Sequence, residues 1–122
     1  MILVPLFMIN FLTNNNFWKR PQFIVRDVDD TPTIQEIGPG MLLRELSGRR
    51  AKWAHFVCPK CGDLISVQLA GKRSWNLTVD LLRRPTISPS IWEKSTCGAH
   101  FFVRRGEVVW CRNENSIARR YP

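Results

Sequence analysis

The sequence predicts a small, mainly β, antiparallel domain with irregular loops. Residues 75–81 (WNLTVDL) alternate apolar and polar side chains, which is the period-two pattern of a strand with one buried face. Residues 64–69 (LISVQL) are rich in β-branched and apolar side chains, as strands are. Residues 101–104 and 107–112 flank the pair Arg105-Gly106, which favours a hairpin.

The segments before these strands are separated by residues that favour turns. Residues 23–28 predict a short strand that ends in a turn at residues 29–32 (DDTP). Residues 37–40 (IGPG) form a second break and lead into residues 41–46, a short element whose type the pattern leaves open. Residues 53–57 form an apolar run ahead of the first cysteine pair.

Residues 83–89 predict a loop or an edge segment. They contain two prolines, Pro85 and Pro89. Proline has no N–H to donate to a sheet ladder, so it is rarely found in central strands.

Length and charge indicate one globular domain with a basic surface. The chain has 122 residues, 44% of them hydrophobic, and a formal net charge of +8. The excess lies in residues 44–122, which hold fifteen basic and six acidic residues. Such a field favours nucleic acid or an acidic protein surface as partner. The basic residues occur mostly as scattered pairs, however, so a solvated surface explains them equally well.

Residues 1–20 predict an apolar arm or extension, and residues 21–122 a single domain. Residues 1–12 (MILVPLFMINFL) are strongly apolar but shorter than the ~20 residues that a bilayer span needs. No Lys or Arg precedes this run and no A-x-A-like cleavage site follows it, so a secretion signal is not indicated. We therefore expect a cytoplasmic protein without a membrane role.

Two residue pairs with the same spacing predict a metal site. Cys58 and Cys61 are separated by two residues and followed by Gly62, which can adopt a positive φ and close a tight turn. Cys97 and His100 repeat the two-residue gap. Three thiolates and one imidazole are a closed tetrahedral ligand set for Zn²⁺. The gap of 35 residues between the pairs exceeds that of simple zinc ribbons, so we predict a zinc-ribbon-like domain that has room for two strands between its ligand pairs.

Cys111 is an alternative to His100 as the fourth ligand. A two-residue loop at Arg105-Gly106 would place Cys111 directly across the hairpin from His100, with Cβ atoms roughly 5 Å apart. His55 is a weaker candidate, because it lies in an apolar strand and is better interpreted as a structural histidine. A disulfide or redox pair at Cys58 and Cys61 is the other alternative, but nothing helical follows this CxxC as a thioredoxin-like motif requires.

The same ligand set predicts that the chain is not an enzyme. Four protein ligands leave no open position for a catalytic water on zinc. The H-E-x-x-H, P-loop, G-x-G-x-x-G and G-x-S-x-G motifs are absent from the sequence, and no Glu follows either histidine at the spacing of zinc deaminases.

Residues 54–111 resemble an uncharacterised family of small bacterial proteins that are presumed to bind metal. The resemblance rests on AHFVCPKCGDLI at residues 54–65, WNLTVD at 75–80, SPSIW at 88–92 and CGAHFFVRRGEVVW at 97–110. Many relatives carry an additional cysteine in a C-x-C-G-C-G-like run, where this chain has CPKCG. The resemblance implies Cys97 and His100 as the second ligand pair, with Cys111 beside the site.

Members of this family are often encoded near bacterial ubiquitin-like conjugation components. The resemblance therefore implies a zinc-stabilised adaptor that binds proteins of such a system. Within it, the SPSIW segment is either a recognition loop or a loop that caps the core with Trp92 buried. The alternative function is a basic, zinc-ribbon-like module that binds nucleic acid, for which the basic half and five tryptophans are the support.

Overall fold

The computed structural model of the protein consists of two four-stranded sheets. It describes Pro5 and residues 22–111. The first sheet contains β1 (Ile24–Val28), β2 (Met41–Ser47), β3 (Arg50–Val57) and β4 (Leu64–Gln68), in that order across the sheet. The second contains β5 (Asn76–Val79), β6 (Pro85–Trp92), β7 (His100–Arg104) and β8 (Glu107–Trp110), also in sequence order. A single 3₁₀ turn (Ile34–Glu36) connects β1 to β2 within the described residues.

The prediction of a mainly β, antiparallel domain is confirmed. Five of the six strand pairs are antiparallel, and only β1 pairs with its neighbour β2 in parallel. The 3₁₀ turn and the break at residues 37–40 give the chain the length that this parallel crossover needs. The element at residues 41–46, whose type the sequence left open, belongs to β2.

The hairpin of β7 and β8 has the predicted register. Arg104 pairs with Glu107, and Phe102 pairs with Val109. Arg105 and Gly106 both have positive φ, at 49° and 79°, as a tight two-residue hairpin loop requires. The backbone N–H of Cys111 donates to the carbonyl of His100 at 2.9 Å, so these two residues face each other across the hairpin.

The two sheets share one apolar core. Phe56 of β3 and Phe101 of β7 are fully buried and meet edge to face, with ring centroids 6.3 Å apart. Each sheet therefore has an inner face in this core and an outer face toward solvent. Side chains alternate along a strand, so every second residue of the central strands is directed to the outer face.

The prediction that residues 83–89 form a loop or an edge segment is wrong. They overlap β6, which lies between β5 and β7. Pro85 is the first residue of that strand, where a missing N–H is tolerated, and Pro89 lies in a bulge. The strand of residues 75–81 is also shorter than predicted, because β5 ends at Val79 and Leu81 is 54% exposed.

The predicted division between residues 1–20 and 21–122 falls outside the described residues, apart from Pro5. Among residues 22–111 and at Pro5, the structure contains no helix that is long and apolar enough to cross a membrane.

Candidate active site and metal centre

The first cysteine pair lies in a tight turn at the end of β3. Cys58 follows the strand, and its N–H donates to the carbonyl of Asp63 at 2.7 Å. The N–H of Gly62 returns to the carbonyl of Cys58 at 3.0 Å, with Gly62 at a φ of 83°, as the sequence predicted. The N–H of Lys60 approaches Cys58 Sγ at 3.4 Å, which orients this sulfur.

Cys97 reaches the same place from the connection between β6 and β7. Two hydrogen bonds close this connection: Glu93 N–H donates to the carbonyl of Ala99, and Gly98 N–H donates to that of Glu93, both at 2.8 Å. The Sγ atoms of Cys58 and Cys97 are 3.7 Å apart, and those of Cys58, Cys61 and Cys97 all lie within 4.8 Å of one another. The structure thus brings together three of the four predicted ligands.

The geometry and the charges of this thiol cluster fit a divalent metal ion. Tetrahedral zinc with Zn–S bonds of about 2.3 Å separates its sulfurs by about 3.8 Å, close to the distance between Cys58 and Cys97. Although the Asp63 N–H lowers it, the pKa of Cys61 rises to about 11, because the neighbouring thiol of Cys97, burial and Cys58 all disfavour a second negative charge. A bound cation would reverse this repulsion.

Neither His100 nor Cys111 belongs to this cluster of described residues. Burial raises the pKa of the Cys111 thiol. The assignment of His100 as fourth ligand stays a prediction, and in the structure its ring has a different partner.

His100 contacts Ser90. Nε2 of His100 lies 2.9 Å from Oγ of Ser90, within hydrogen-bond distance. The other ring nitrogen, Nδ1, is buried and has no hydrogen-bond partner among the described residues. Burial lowers the pKa of His100 below its usual 6.5, so the ring is neutral at pH 7. A neutral imidazole that contacts a serine hydroxyl can remove its proton, which makes Ser90 a candidate nucleophile.

An irregular bulge in β6 positions Ser90. Ile87 pairs with Val103 and Ile91 with Phe101, so three residues of β6 lie opposite one residue of β7. Bulges of this kind re-aim side chains and are common beside active sites. The indole N–H of Trp75 donates to the carbonyl of Ser90 at 3.3 Å and ties the bulge to the neighbouring strand.

Trp92 supports the histidine ring. Its indole stacks on His100 with ring centroids 4.9 Å apart and an angle of 7° between the planes. Trp92 is 40% exposed, so the interpretation of SPSIW as a capping loop with this side chain buried is wrong. The segment is the bulged end of a central strand, with Ile91 in the core and Trp92 exposed.

A second serine–histidine contact lies on the outer face of the first sheet. His55 is buried, as expected of a structural histidine, but it bridges two polar side chains. Its Nδ1 is 2.7 Å from Oγ of Ser66, and its Nε2 is 2.8 Å from Oε1 of Glu45.

Sequence reasoning missed both contacts because neither follows a local motif. Ser90 and His100 are ten residues apart and are joined only by strand pairing across a bulge. The available signal was a serine in the SPSIW segment and a histidine three residues after Cys97, on either side of one short stretch of chain.

Comparison with known protein families identifies a match over most of the chain. A family model described as "Bacterial ubiquitination-like system serine protease (BubE)" matches residues 27–111. No curated protein and no solved structure matches the chain. The match supports the predicted association with a bacterial ubiquitin-like system and hence with protein partners, whereas the nucleic-acid alternative gains no support. The prediction that the chain is not an enzyme is contradicted, because the family is described as a serine protease.

Proposed function

The chain belongs to the family of bacterial ubiquitination-like system serine proteases (BubE), and on this premise we propose that Ser90 is its nucleophile and His100 its general base. The observation that carries the proposal is the 2.9 Å contact between Ser90 Oγ and His100 Nε2. The proposed substrate is a protein of that ubiquitin-like system, and the bond cleaved is an amide bond between a carbonyl carbon and a leaving amine. This role replaces the adaptor function that the sequence suggested.

The proposed reaction is acyl transfer through a covalent intermediate. Ser90 Oγ attacks the substrate carbonyl carbon while His100 Nε2 takes the hydroxyl proton. His100 then returns this proton to the leaving amine, and the acyl group remains on Ser90. Water then attacks the acyl carbon while His100 Nε2 takes a proton from it. His100 returns this proton to Ser90 Oγ as the carboxylic acid product leaves.

The surroundings of His100 suit a base that has no carboxylate partner among the residues that the structure describes. Its lowered pKa keeps the ring neutral and able to accept a proton. Trp92 holds the plane of the ring by stacking, and an indole face also attracts the imidazolium that forms during the reaction. A Ser–His dyad is therefore the catalytic unit that we propose.

Two features favour Ser90 over Ser66 as the protease nucleophile. Ser90 is displaced from the regular strand by a bulge, whereas Ser66 lies in the unbroken register of β4. Exposed Trp92 also stacks closely on the base, with ring centroids 4.9 Å apart, whereas the centroid of Trp53 lies 6.2 Å from that of His55.

We further propose that Cys58, Cys61 and Cys97 hold Zn²⁺ in a structural role. When bound, the ion would supply cross-links between the end of β3 and the connection that precedes His100. In this proposal His100 serves Ser90, and the three cysteines are the residues that would hold the ion.

The test is cleavage of ubiquitin-like conjugates from the same system by wild type, Ser90→Ala and His100→Ala. We expect losses of about 1,000-fold or more in both variants, since each removes a member of one catalytic unit. Ser88→Ala is the matched control, because Ser88 is an exposed serine in the same strand and should retain activity within about twofold. Full activity in Ser90→Ala would refute the assignment. Retained metal with lost activity in His100→Ala would separate its role as base from a role as ligand.

A further inference from the structure

The outer face of the first sheet carries three polar side chains in a continuous hydrogen-bonded row. Ser66 of β4 contacts His55 of β3 at 2.7 Å, and His55 contacts Glu45 of β2 at 2.8 Å. Serine, histidine and carboxylate in this order are the components of a catalytic triad. This cluster is separate from Ser90, which lies on the other sheet.

The strand register fixes this row. Ser66 is directly opposite His55. Hydrogen-bonded and non-hydrogen-bonded residue pairs alternate along an antiparallel ladder. The N–H of Leu69 donates to the carbonyl of Lys52, so residues 69 and 52 are a hydrogen-bonded pair. Ser66 and His55, three positions further along, are therefore a non-hydrogen-bonded pair. Side chains approach most closely at such pairs, with Cα atoms ~4.5 Å apart. A register shift just after Glu45 marks a bulge beside the third member.

The donor and acceptor roles follow from the carboxylate. An ionised Glu45 can only accept, so His55 Nε2 carries the proton that it receives. In the neutral ring Nδ1 is then an acceptor, and the Ser66 hydroxyl donates to it. This polarisation of Ser66 is that of an activated nucleophile.

The base and the nucleophile of this row also differ in their exposure to solvent. His55 is only 4% exposed, whereas Ser66 is exposed to solvent. A shallow cavity of about 300 Å³ lies over the row and is lined by these residues together with Thr31 and Trp53. Trp53 is 37% exposed and nearly parallel to the His55 ring, at 6.2 Å, which gives the cavity one aromatic wall.

We propose that Ser66 is a second nucleophilic serine, which accepts the acyl group of small esters with an apolar acyl chain. Ser66 Oγ forms a bond to the ester carbonyl carbon, and its proton passes to His55 Nδ1. The bond from that carbon to the alkoxy oxygen breaks, and the leaving alkoxide takes the proton from His55. Water then hydrolyses the Ser66 ester, which yields the carboxylic acid and restores the hydroxyl. Glu45 is a positioning residue that holds the histidine tautomer.

The test is covalent labelling with an alkyl fluorophosphonate, followed by peptide mapping of the full chain. In this reaction Ser66 Oγ bonds to phosphorus, and fluoride leaves with the proton. The expected tryptic peptide, residues 61–72, contains Ser66 as its one serine, so an adduct there is unambiguous. The Ser90 adduct appears on residues 84–94 instead.

We expect adducts on both peptides in the wild type. The adduct on residues 61–72 persists in Ser90→Ala and disappears in Ser66→Ala. It forms about 100-fold more slowly in His55→Asn, the low end of what a general base contributes. Glu45→Gln should slow it by about tenfold or more, while Ser47→Ala, a change of an exposed serine at the end of β2, should not affect it.

The two proposals fail separately. An adduct on residues 84–94 without one on 61–72, in folded wild-type protein, overturns the role of Ser66 and leaves that of Ser90. The reverse pattern overturns Ser90 as nucleophile and leaves Ser66. Hydrolysis of p-nitrophenyl butyrate by Ser90→Ala provides the turnover readout. Its absence at unchanged thermal stability, together with no adduct on residues 61–72, would limit Ser66 to a structural hydrogen bond.

Discussion

The two outer faces of the molecule each carry a serine–histidine pair, but they are built in different ways. On the first sheet an unbroken register places Ser66 opposite His55, and a carboxylate completes the row. On the second sheet a bulge displaces Ser90, and the ring of His100 has an aromatic neighbour in place of a carboxylate. A hydrogen-bonded triad is therefore not sufficient to identify the protease nucleophile, and the position of the serine relative to the regular strand has to be considered as well.

The thiol cluster is the second difference between these faces. Cys97 lies on the connection that joins the strands of Ser90 and His100, so a metal at the cluster would anchor the ends of β6 and β7 to the turn between β3 and β4, which hydrogen bonds already close at Cys58. Ser66 and His55 are held by pairing of β3 with β4 along its full length. Loss of the metal should therefore affect the two serines unequally.

The largest expected effect is that of Cys97→Ser. We expect loss of bound zinc, a thermal midpoint lower by about 8 °C, which is ~2 kcal/mol for a domain of this size, and fluorophosphonate labelling of Ser90 slowed by about tenfold. Labelling of Ser66 should change less than about twofold, because the register of β3 and β4 does not depend on Cys97.

Elemental analysis, thermal unfolding and peptide mapping measure these three quantities. Cys111→Ser is the matched control, since Cys111 is a partly buried cysteine outside the cluster. This variant should retain the bound metal. Equal slowing at Ser66 and Ser90 would mean that the metal stabilises the whole domain and gives the second sheet no particular support.

The next effect is the pH dependence of labelling at Ser90. Burial lowers the pKa of His100 below 6.5, and only the neutral ring accepts a proton. The rate should therefore be constant near pH 8, decline as the pH falls, and reach half its maximum at a pH below 6.5. A half-point above 6.5 would contradict the neutral, desolvated base.

The same shift has a consequence for stability. The unfolded chain binds a proton at this histidine more readily than the folded chain does, so the contribution of neutral His100 is present above pH 6.5 and is lost as the pH falls through the folded pKa. The difference in thermal midpoint between wild type and His100→Asn, followed from pH 8 to pH 5, measures this contribution.

The sequence contained enough to predict the strands with clear periodicity and the hairpin register, because both depend on neighbouring residues. Trp75 to Val79 alternate, and the loop at Arg105-Gly106 determines which residues face each other. The close approach of Cys58, Cys61 and Cys97 was also predicted, from the short spacing of the first pair and its repeat at Cys97, although the second spacing does not bring His100 into the cluster.

The serine contacts could not be predicted in the same way. The bulge in β6 shifts the pairing of β6 with β7 by two residues, and no spacing along the chain encodes such a shift. The prolines of this segment were interpreted as strand breakers, which hid a central strand. His55 was correctly placed in an apolar strand, but its partners come from β2 and β4, and no spacing along the chain encodes them.

The smallest expected effect is that of Trp92→Leu, which distinguishes orientation of the His100 ring by stacking from shielding of that ring from water. Trp92→Leu removes the stacked indole, and an aromatic pair worth about 1 kcal/mol corresponds to a fivefold slower labelling of Ser90. The half-point of the pH profile should also rise toward 6.5, because water gains access to the ring. Trp110→Leu is the matched control: Trp110 is 48% exposed on the next strand but one and contacts Phe101, so neither the rate nor the half-point should change. A slower rate with an unchanged half-point would show that Trp92 orients His100 without shielding it, whereas no change in either would remove Trp92 from the proposed catalytic unit.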